Sequence, residues 1–152
     1  MRRLIFIMSF GLVLLSCKKD KLEDGKEILI GKWSWVYSEH TYYICLGIPQ
    51  DEIINPETEG VNYSVEFLKK GIVKFYENDE VTSRDRVVFD QFGDPSGYGS
   101  EYTSFSFYLN NKAFDVEYLI AGAVSADTLI FKRLFPFELD PCEKHINYFV
   151  KE

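Results

Sequence analysis

Residues 103–120, TSFSFYLNNKAFDVEYLI, contain two runs in which apolar and polar side chains alternate. Phe105, Phe107 and Leu109 share one face of the first run if it is extended, because side chains alternate across a β-strand. The polar sequence Asn-Asn-Lys at 110–112 separates the two runs and is typical of a turn. This stretch therefore predicts a β-hairpin with one buried face.

The same period of two recurs along the rest of the chain and predicts eight sequential strands. Only residues 22–30 suggest a helical turn, and longer connections, which we expect to be loops, occupy 46–60, 91–101 and 135–144. Eight antiparallel strands favour an all-β, up-and-down barrel, because closure leaves no exposed edge. A β-sandwich is the competing architecture. The predicted strands cover residues 30–45, 62–67, 73–75, 81–90, 103–109, 114–120, 127–134 and 145–151.

The first sixteen residues have the three-part layout of a secretory signal peptide. Arg2 and Arg3 form a basic start, an apolar run covers residues 4–15, and the small Ser16 precedes Cys17. The apolar run is too short for a comfortable membrane span, which takes about 20 residues. We therefore expect residues 1–16 to be removed on export.

The sequence LLSC at residues 14–17 resembles the bacterial lipobox, which is Leu-x-x-Cys with a small residue before the cysteine. The resemblance implies that Cys17 is lipidated and becomes the first residue of a membrane-anchored mature chain. Lys18 resembles the residue found after this cysteine in outer-membrane lipoproteins, and the run KKD at 18–20 resembles surface-export signals. We expect a lipid anchor in the outer membrane and leave its periplasmic or cell-surface face open.

The mature part, residues 17–152, is acidic. It carries 15 basic residues, since two of the 17 lie in the signal, against 24 acidic residues, which gives a net charge of −9. Such a surface does not favour nucleic acid as a partner. We expect the charged segment 17–28 to be a flexible tether that buries nothing, and residues 29–152 to form one barrel domain.

Two cysteines remain after lipidation, Cys45 and Cys142. An exported protein meets an oxidising compartment, so the pair predicts a disulfide, whose loop spans 97 residue steps. In the chain-entropy account such a link stabilises the fold by up to about 4–5 kcal/mol. Two buried free thiols are the alternative, because sequence does not give the distance between them.

The sequence GKW at residues 31–33 resembles the Gly-x-Trp motif that opens the first strand of lipocalins and related small barrels. The layout also resembles small lipocalin-like lipoproteins of Gram-negative bacteria, for example in the segment 55–60 before an aromatic strand. The resemblance implies that Trp33 closes the base of the barrel and that a late basic residue packs across its ring. The expected base residues are Gly31, Trp33 and one of the two candidates Arg133 and Lys151.

Aromatic side chains of the first strand share the phase of Trp33, so we expect them to point into the barrel. Two interpretations of this interior stay open. Large side chains favour a filled core, whereas a cup that opens away from Trp33 would bind a mostly apolar ligand oriented by a few polar groups. The candidate ligand-binding residues are Trp35, Tyr37, Glu39, Tyr43, Phe67, Phe107 and Tyr118.

We predict a non-catalytic binding protein for a small apolar or amphipathic ligand. The alternative is a protein-binding module, such as a protease inhibitor acting on an exported partner, that uses its long loops. Its contact would be residues 46–60, with Ile48, Ile53 and Ile54 exposed.

An enzyme is not predicted, because the sequence has no nucleophile-elbow motif and no glycine-rich phosphate loop. His40 and His145 are expected to be surface residues near the barrel ends, since they lack the pair spacing of a zinc site. We therefore expect no metal and no cofactor.

Overall fold

The computed structural model describes residues 22, 25–42, 50–95, 101–111, 116–132 and 143–152. Strands dominate this part of the chain, and none of its helices is long and apolar enough to cross a membrane. The elements in chain order are a 3₁₀ turn Lys26–Leu29, β1 Gly31–Tyr42, β2 Gln50–Ile54, α1 Pro56–Glu59, β3 Tyr63–Leu68, β4 Ile72–Glu77, β5 Glu80–Pro95, β6 Thr103–Asn111, β7 Val116–Val124, β8 Thr128–Lys132 and β9 Glu143–Lys151.

Eight of the strands form one closed antiparallel barrel. β1 pairs with β3, each later strand pairs with the next, and β9 returns to pair with β1. The prediction of an all-β, eight-stranded up-and-down barrel is confirmed, with β2 as an additional strand. The barrel is compatible with a lipocalin-like fold. We call the end at Gly31 and Lys151 the base and the end at Tyr42 and Glu143 the top.

β2 and β3 share one edge of β1. β3 pairs with Gly31–Ser34 near the base, whereas β2 pairs with Ser38–Tyr42 near the top. The short helix α1 lies between them in the chain. Asn55 accepts two backbone N–H groups at its start, and Gly60 ends it with a φ of 68°. The prediction that residues 46–60 form a loop is therefore wrong for this part of the segment.

Ile53 and Ile54 on β2 have opposite environments. Ile53 is 64% exposed, whereas Ile54 is 7% exposed and belongs to the core. The expectation that both are exposed is wrong for Ile54, because consecutive residues of a strand point to opposite faces. Ile48 lies outside the described residues.

Residues 91–95 belong to a strand rather than to the predicted loop, because β5 continues to Pro95. The register between β5 and β6 shifts between Phe89 and Gln91 and again between Phe92 and Pro95. Gly93 has a φ of 108° in the second of these irregularities. Such bulges let a strand that contains Gly and Pro keep pairing with its neighbour.

The segment before β1 closes the base of the barrel. Leu22 is 2% exposed, and its backbone N–H donates to the carbonyl of Lys69 over 3.1 Å. The 3₁₀ turn Lys26–Leu29 confirms the predicted helical turn and buries Leu29 completely. The expectation that residues 17–28 bury nothing is therefore wrong at Leu22, whose apolar side chain packs with the core.

Aromatic rings fill the middle of the barrel. Phe67 of β3 lies 6.0 Å from Phe107 of β6 and 6.5 Å from Phe131 of β8, measured between ring centroids. Phe67 thus meets Phe107 and Phe131 across the interior, and none of the three side chains has exposed surface. Side chains that meet across the interior leave this level packed rather than hollow.

Candidate functional site

The base of the barrel is built around Trp33. Its indole Nε1 donates to the carbonyl of Leu29 over 2.8 Å, and the Lys151 Nζ lies 5.0 Å from the centroid of its ring. Lys151 also donates to the carbonyl of Ile28 over 3.2 Å. A Cβ on Gly31, whose φ is 130°, would lie 3.2 Å from Lys151 Cε. Gly31, Trp33 and the candidate Lys151 thus lie together, and the other candidate, Arg133, lies outside the described residues.

A bulge in β1 reverses the direction of the side chains that follow it. Trp35 is paired with Phe149 of β9, but Tyr37 is paired with Tyr148, so Val36 is an extra residue on β1. Val36 is 40% exposed. Trp33 and Trp35 therefore face the interior below the bulge, whereas the even-numbered residues of β1 face it above the bulge.

This reversal turns two of the predicted ligand-binding residues, Tyr37 and Glu39, away from the interior. Glu39 is exposed, and Tyr37 stacks on Tyr148 outside the barrel with ring centroids 4.4 Å apart. Partial burial, followed in importance by the Glu39 carboxylate, raises the pKa of the Tyr37 phenol. Both residues were expected to face inward because they share the odd-numbered phase of Trp33. The alternation of the sequence gives no sign of the bulge that shifts this phase.

Other predicted ligand-binding residues lie in the packed core or outside the described part. Phe67 and Phe107 have no exposed surface and pack against each other, whereas a side chain that lined a solvent-sized cavity would keep some. Trp35 is 6% exposed and remains a candidate. Tyr43 lies outside the described residues, as do Cys17, Cys45 and Cys142, and so does the side chain of Tyr118.

Above the bulge, the inward residues of β1 and β9 are polar. Trp35 Nε1 donates to Ser38 Oγ over 2.8 Å, and the Ser38 hydroxyl donates to Asn147 Oδ1 over 2.6 Å. Ser38 and Asn147 are opposite each other in the strand pairing and are almost completely buried. The indole, hydroxyl and amide thus form a continuous hydrogen-bonded relay at the upper edge of the aromatic core.

Two histidines lie above this relay, each two residues closer to the top of its strand. His40 of β1 and His145 of β9 are opposite each other, with ring centroids 3.6 Å apart. They are 7% and 2% exposed, so the expectation that they are surface residues is wrong, although they do lie near one end of the barrel. Among the described residues, no three His, Cys, Asp or Glu side chains come together as a metal site would require.

Tyr42 and Glu52 lie at the rim of the top end. The Tyr42 ring centroid is 3.9 Å from that of His40, and its hydroxyl donates to Glu52 Oε2 over 3.3 Å. Glu52 is opposite His40 in the pairing of β1 with β2, and its side chain is exposed. The additional strand β2 therefore adds a carboxylate to this end of the barrel.

These residues form what we call the top cluster. It offers hydrogen-bond donors and acceptors and flat aromatic faces above the aromatic core, with one carboxylate at the rim. Sequence reasoning missed most of it. A signal was present, because Ser-x-His in the first predicted strand and His-x-Asn in the last place polar residues on two strands that are neighbours in a closed barrel. The cluster consists of Trp35, Ser38, His40, Tyr42, Glu52, His145 and Asn147.

Comparison of the chain with models of protein families, with curated proteins and with solved structures gives no match.

Proposed function

We propose that this protein is a non-catalytic, lipid-anchored binding protein that holds a small amphipathic ligand at the top of its barrel. The observation that carries the proposal is the top cluster, in which buried polar groups lie directly above a packed aromatic core. Ligand sites in proteins are mostly apolar, with a few convergent polar groups that orient the ligand. A molecule with an apolar body and a few polar groups matches that arrangement.

The packed middle of the barrel favours an amphipathic ligand over a wholly apolar one. The rings of Phe67, Phe107 and Phe131 occupy the level where a deep apolar ligand would lie. We therefore place the ligand near the hydrogen bond between Ser38 and Asn147. A wholly apolar molecule there would shield polar groups from water without offering them hydrogen bonds.

The relay also supports a binding role over a catalytic one. The Ser38 hydroxyl donates a hydrogen bond to Asn147 Oδ1, and an amide oxygen is not a general base. A serine nucleophile needs a base such as imidazole within hydrogen-bonding reach of its hydroxyl. This geometry supports a role for Ser38, which has no exposed surface, in positioning the side chains of Trp35 and Asn147.

The test is native mass spectrometry of a soluble form that begins at Lys18, before and after incubation with a lipid and metabolite extract. This form keeps every described residue, and near-ultraviolet circular dichroism checks that it is folded. We expect a bound small molecule that is lost in Asn147→Ala but kept in Asn62→Ala, a control outside the cluster. Retention of no molecule by the parent protein would argue against the proposal.

A second candidate function is binding to an exported protein through β2. The observation that favours it is Ile53, which is 64% exposed on an additional strand that flanks the barrel. A stable complex of the soluble form with an exported protease, weakened by Ile53→Thr and unaffected by Val81→Thr, would support it. Val81 is a matched control because it is a β-branched residue that is 53% exposed on β5.

The membrane anchor is part of the proposal and rests on the sequence LLSC at residues 14–17. Two or more acyl chains hold a protein stably at a membrane. We expect metabolic labelling with a fatty-acid probe to mark the parent protein and not Cys17→Ser. Protease treatment of intact cells then separates a cell-surface location from a periplasmic one. Equal labelling of both forms would contradict lipidation at Cys17.

A further inference from the structure

The top cluster becomes more exposed from the relay toward the rim. His145 is 2% exposed and His40 is 7% exposed, whereas Tyr42 is half-buried and Glu52 is exposed. A ligand that enters from the top therefore meets Tyr42 and Glu52 before any other member of the cluster. These two side chains are joined by the 3.3 Å hydrogen bond from the Tyr42 hydroxyl to Glu52 Oε2.

From this rim we infer that the ligand carries a positively charged group, which contacts both the ring of Tyr42 and the carboxylate of Glu52. This inference rests on the proposed function, because it specifies the ligand of the same site. An aromatic face attracts a cation through the negative charge density of its ring, and a carboxylate attracts it directly. A ring and a carboxylate side by side form a site for an ammonium group.

The charged residues around the rim also favour a cation over an anion. Residues on β1, β2 and β9 that face the top interior contribute one carboxylate, Glu52, and no Lys or Arg among the described side chains. The whole chain carries a net charge of −7, which raises the local concentration of cations and opposes anions. A fatty-acid-like ligand with a carboxylate head would meet repulsion at this rim.

Glu52 has a matched neighbour for a controlled experiment. Asp51 is the adjacent acidic residue on β2, pairs with Thr41 and is also exposed. Consecutive strand residues point to opposite faces, so Asp51 lies on the outer face while Glu52 lies beside Tyr42. Neutralising either residue changes the net charge equally, and only Glu52→Gln removes the carboxylate at the rim.

The experiment measures binding of three probes with one naphthyl body by equilibrium dialysis. The probes are naphthylmethylamine, which is a cation at pH 7, the neutral naphthalenemethanol and the anionic naphthoate. We expect the soluble form that begins at Lys18 to prefer the amine. Glu52→Gln should lower the affinity for the amine about two- to fivefold, the size of an exposed ion pair, and leave the alcohol unchanged, while Asp51→Asn changes neither.

Each outcome decides one of the two proposals. Binding of the alcohol without preference for the amine, or equal effects of Glu52→Gln and Asp51→Asn, overturns the inference about charge and leaves the proposed function standing. Preference for naphthoate also overturns the inference. Failure of all three probes to bind contradicts the proposed function together with the inference.

Discussion

At the scale of single residues, the base of the barrel was predictable and the top was not. The motif of Gly31 and Trp33 identified the closing indole, and the structure brings Lys151 over its ring. This prediction rested on the resemblance of residues 31–33 to the Gly-x-Trp motif. Such a short motif predicts the same local structure in every chain that has the same fold. The expected inward positions of Tyr37 and Glu39 failed, because one extra residue, Val36, changes the phase of everything after it.

Gly31 gives a test of the base. Its φ of 130° is a conformation that residues with a Cβ rarely adopt, and a Cβ there would lie 3.2 Å from Lys151 Cε. We expect Gly31→Ala to lower the free energy of unfolding by about 1–3 kcal/mol. Urea denaturation measures the change. Gly60→Ala, at a φ of 68° with no neighbour within 4 Å of the Cβ, should cost less, and an equal or larger cost there would contradict this account.

Ser38 tests the relay at the top. Ser38→Ala leaves the Trp35 indole N–H and the Asn147 side chain without their shared hydroxyl in a buried place. We expect a loss of about 1–3 kcal/mol in the free energy of unfolding, measured in urea. Ser34→Ala on the same strand, where the hydroxyl bonds Glu152 at the surface, should lose less than about 1 kcal/mol. Equal losses would show that the relay adds nothing.

Glu66 predicts a pH dependence of stability. Hydrogen bonds from the Tyr76 hydroxyl, over 2.6 Å, and from Lys74, over 2.9 Å, lower the pKa of its carboxyl group in the folded state. The ionised form therefore stabilises the fold above the ordinary glutamate pKa of about 4.3. This contribution is lost as the pH falls through the lower folded value.

The hydrogen bond from Tyr76 is the larger of these two causes. Removing it should make the free energy of unfolding depend less on pH in the acid range. We expect Tyr76→Phe to lose less stability than the parent protein between about pH 5 and pH 3, measured by urea denaturation at each pH. Glu66→Gln abolishes the titration and should flatten the profile at least as much. A parent profile that neither substitution alters would refute the assignment.

At the scale of elements, the period of two identified the barrel strands but not β2 or the bulges. β2 was missed because residues 46–60 contain two prolines and no long alternation, so its strand depends on pairing with Ser38–Tyr42. A local signal for α1 was present, since Asn before Pro and Gly four residues later is the pattern of a capped short helix. Bulges are tertiary features, because a register exists only between two strands.

The pairing of β1 with β9 bears on the predicted disulfide. Tyr42, the last residue of β1, is opposite Glu143, the first residue of β9. Cys142 immediately precedes Glu143, and Cys45 follows Tyr42 by three residues, which span at most about 10 Å of chain. We therefore expect non-reducing peptide mapping of the protein to recover a peptide that links Cys45 to Cys142.

Reduction provides the matching stability measurement. Opening the predicted link should lower the free energy of unfolding by up to about 4–5 kcal/mol, and Cys45→Ala should reproduce most of that loss while leaving Cys142 open to thiol labelling. Labelling of both cysteines in the unreduced parent protein would refute the disulfide.

At the scale of the whole molecule, closure of the barrel explains why the site could not be found from the sequence. His40 and His145 are 105 residues apart in the chain, and only the pairing of the first strand with the last brings their rings together. The aromatic core was foreseeable from composition and alternation, but its complete packing depends on side chains that meet across the interior. That packing restricts the proposed ligand to the top.

The two tryptophans of the chain allow the most direct test of this placement, because Trp35 belongs to the top cluster and Trp33 to the base. Trp33→Phe and Trp35→Phe each leave one indole, and a brominated amphiphile such as bromododecanol quenches an indole that it contacts. Titration of the two folded variants should quench Trp35 and leave Trp33 unchanged. Quenching of Trp33, or of neither indole by a bound amphiphile, would contradict a binding site at the top of the barrel.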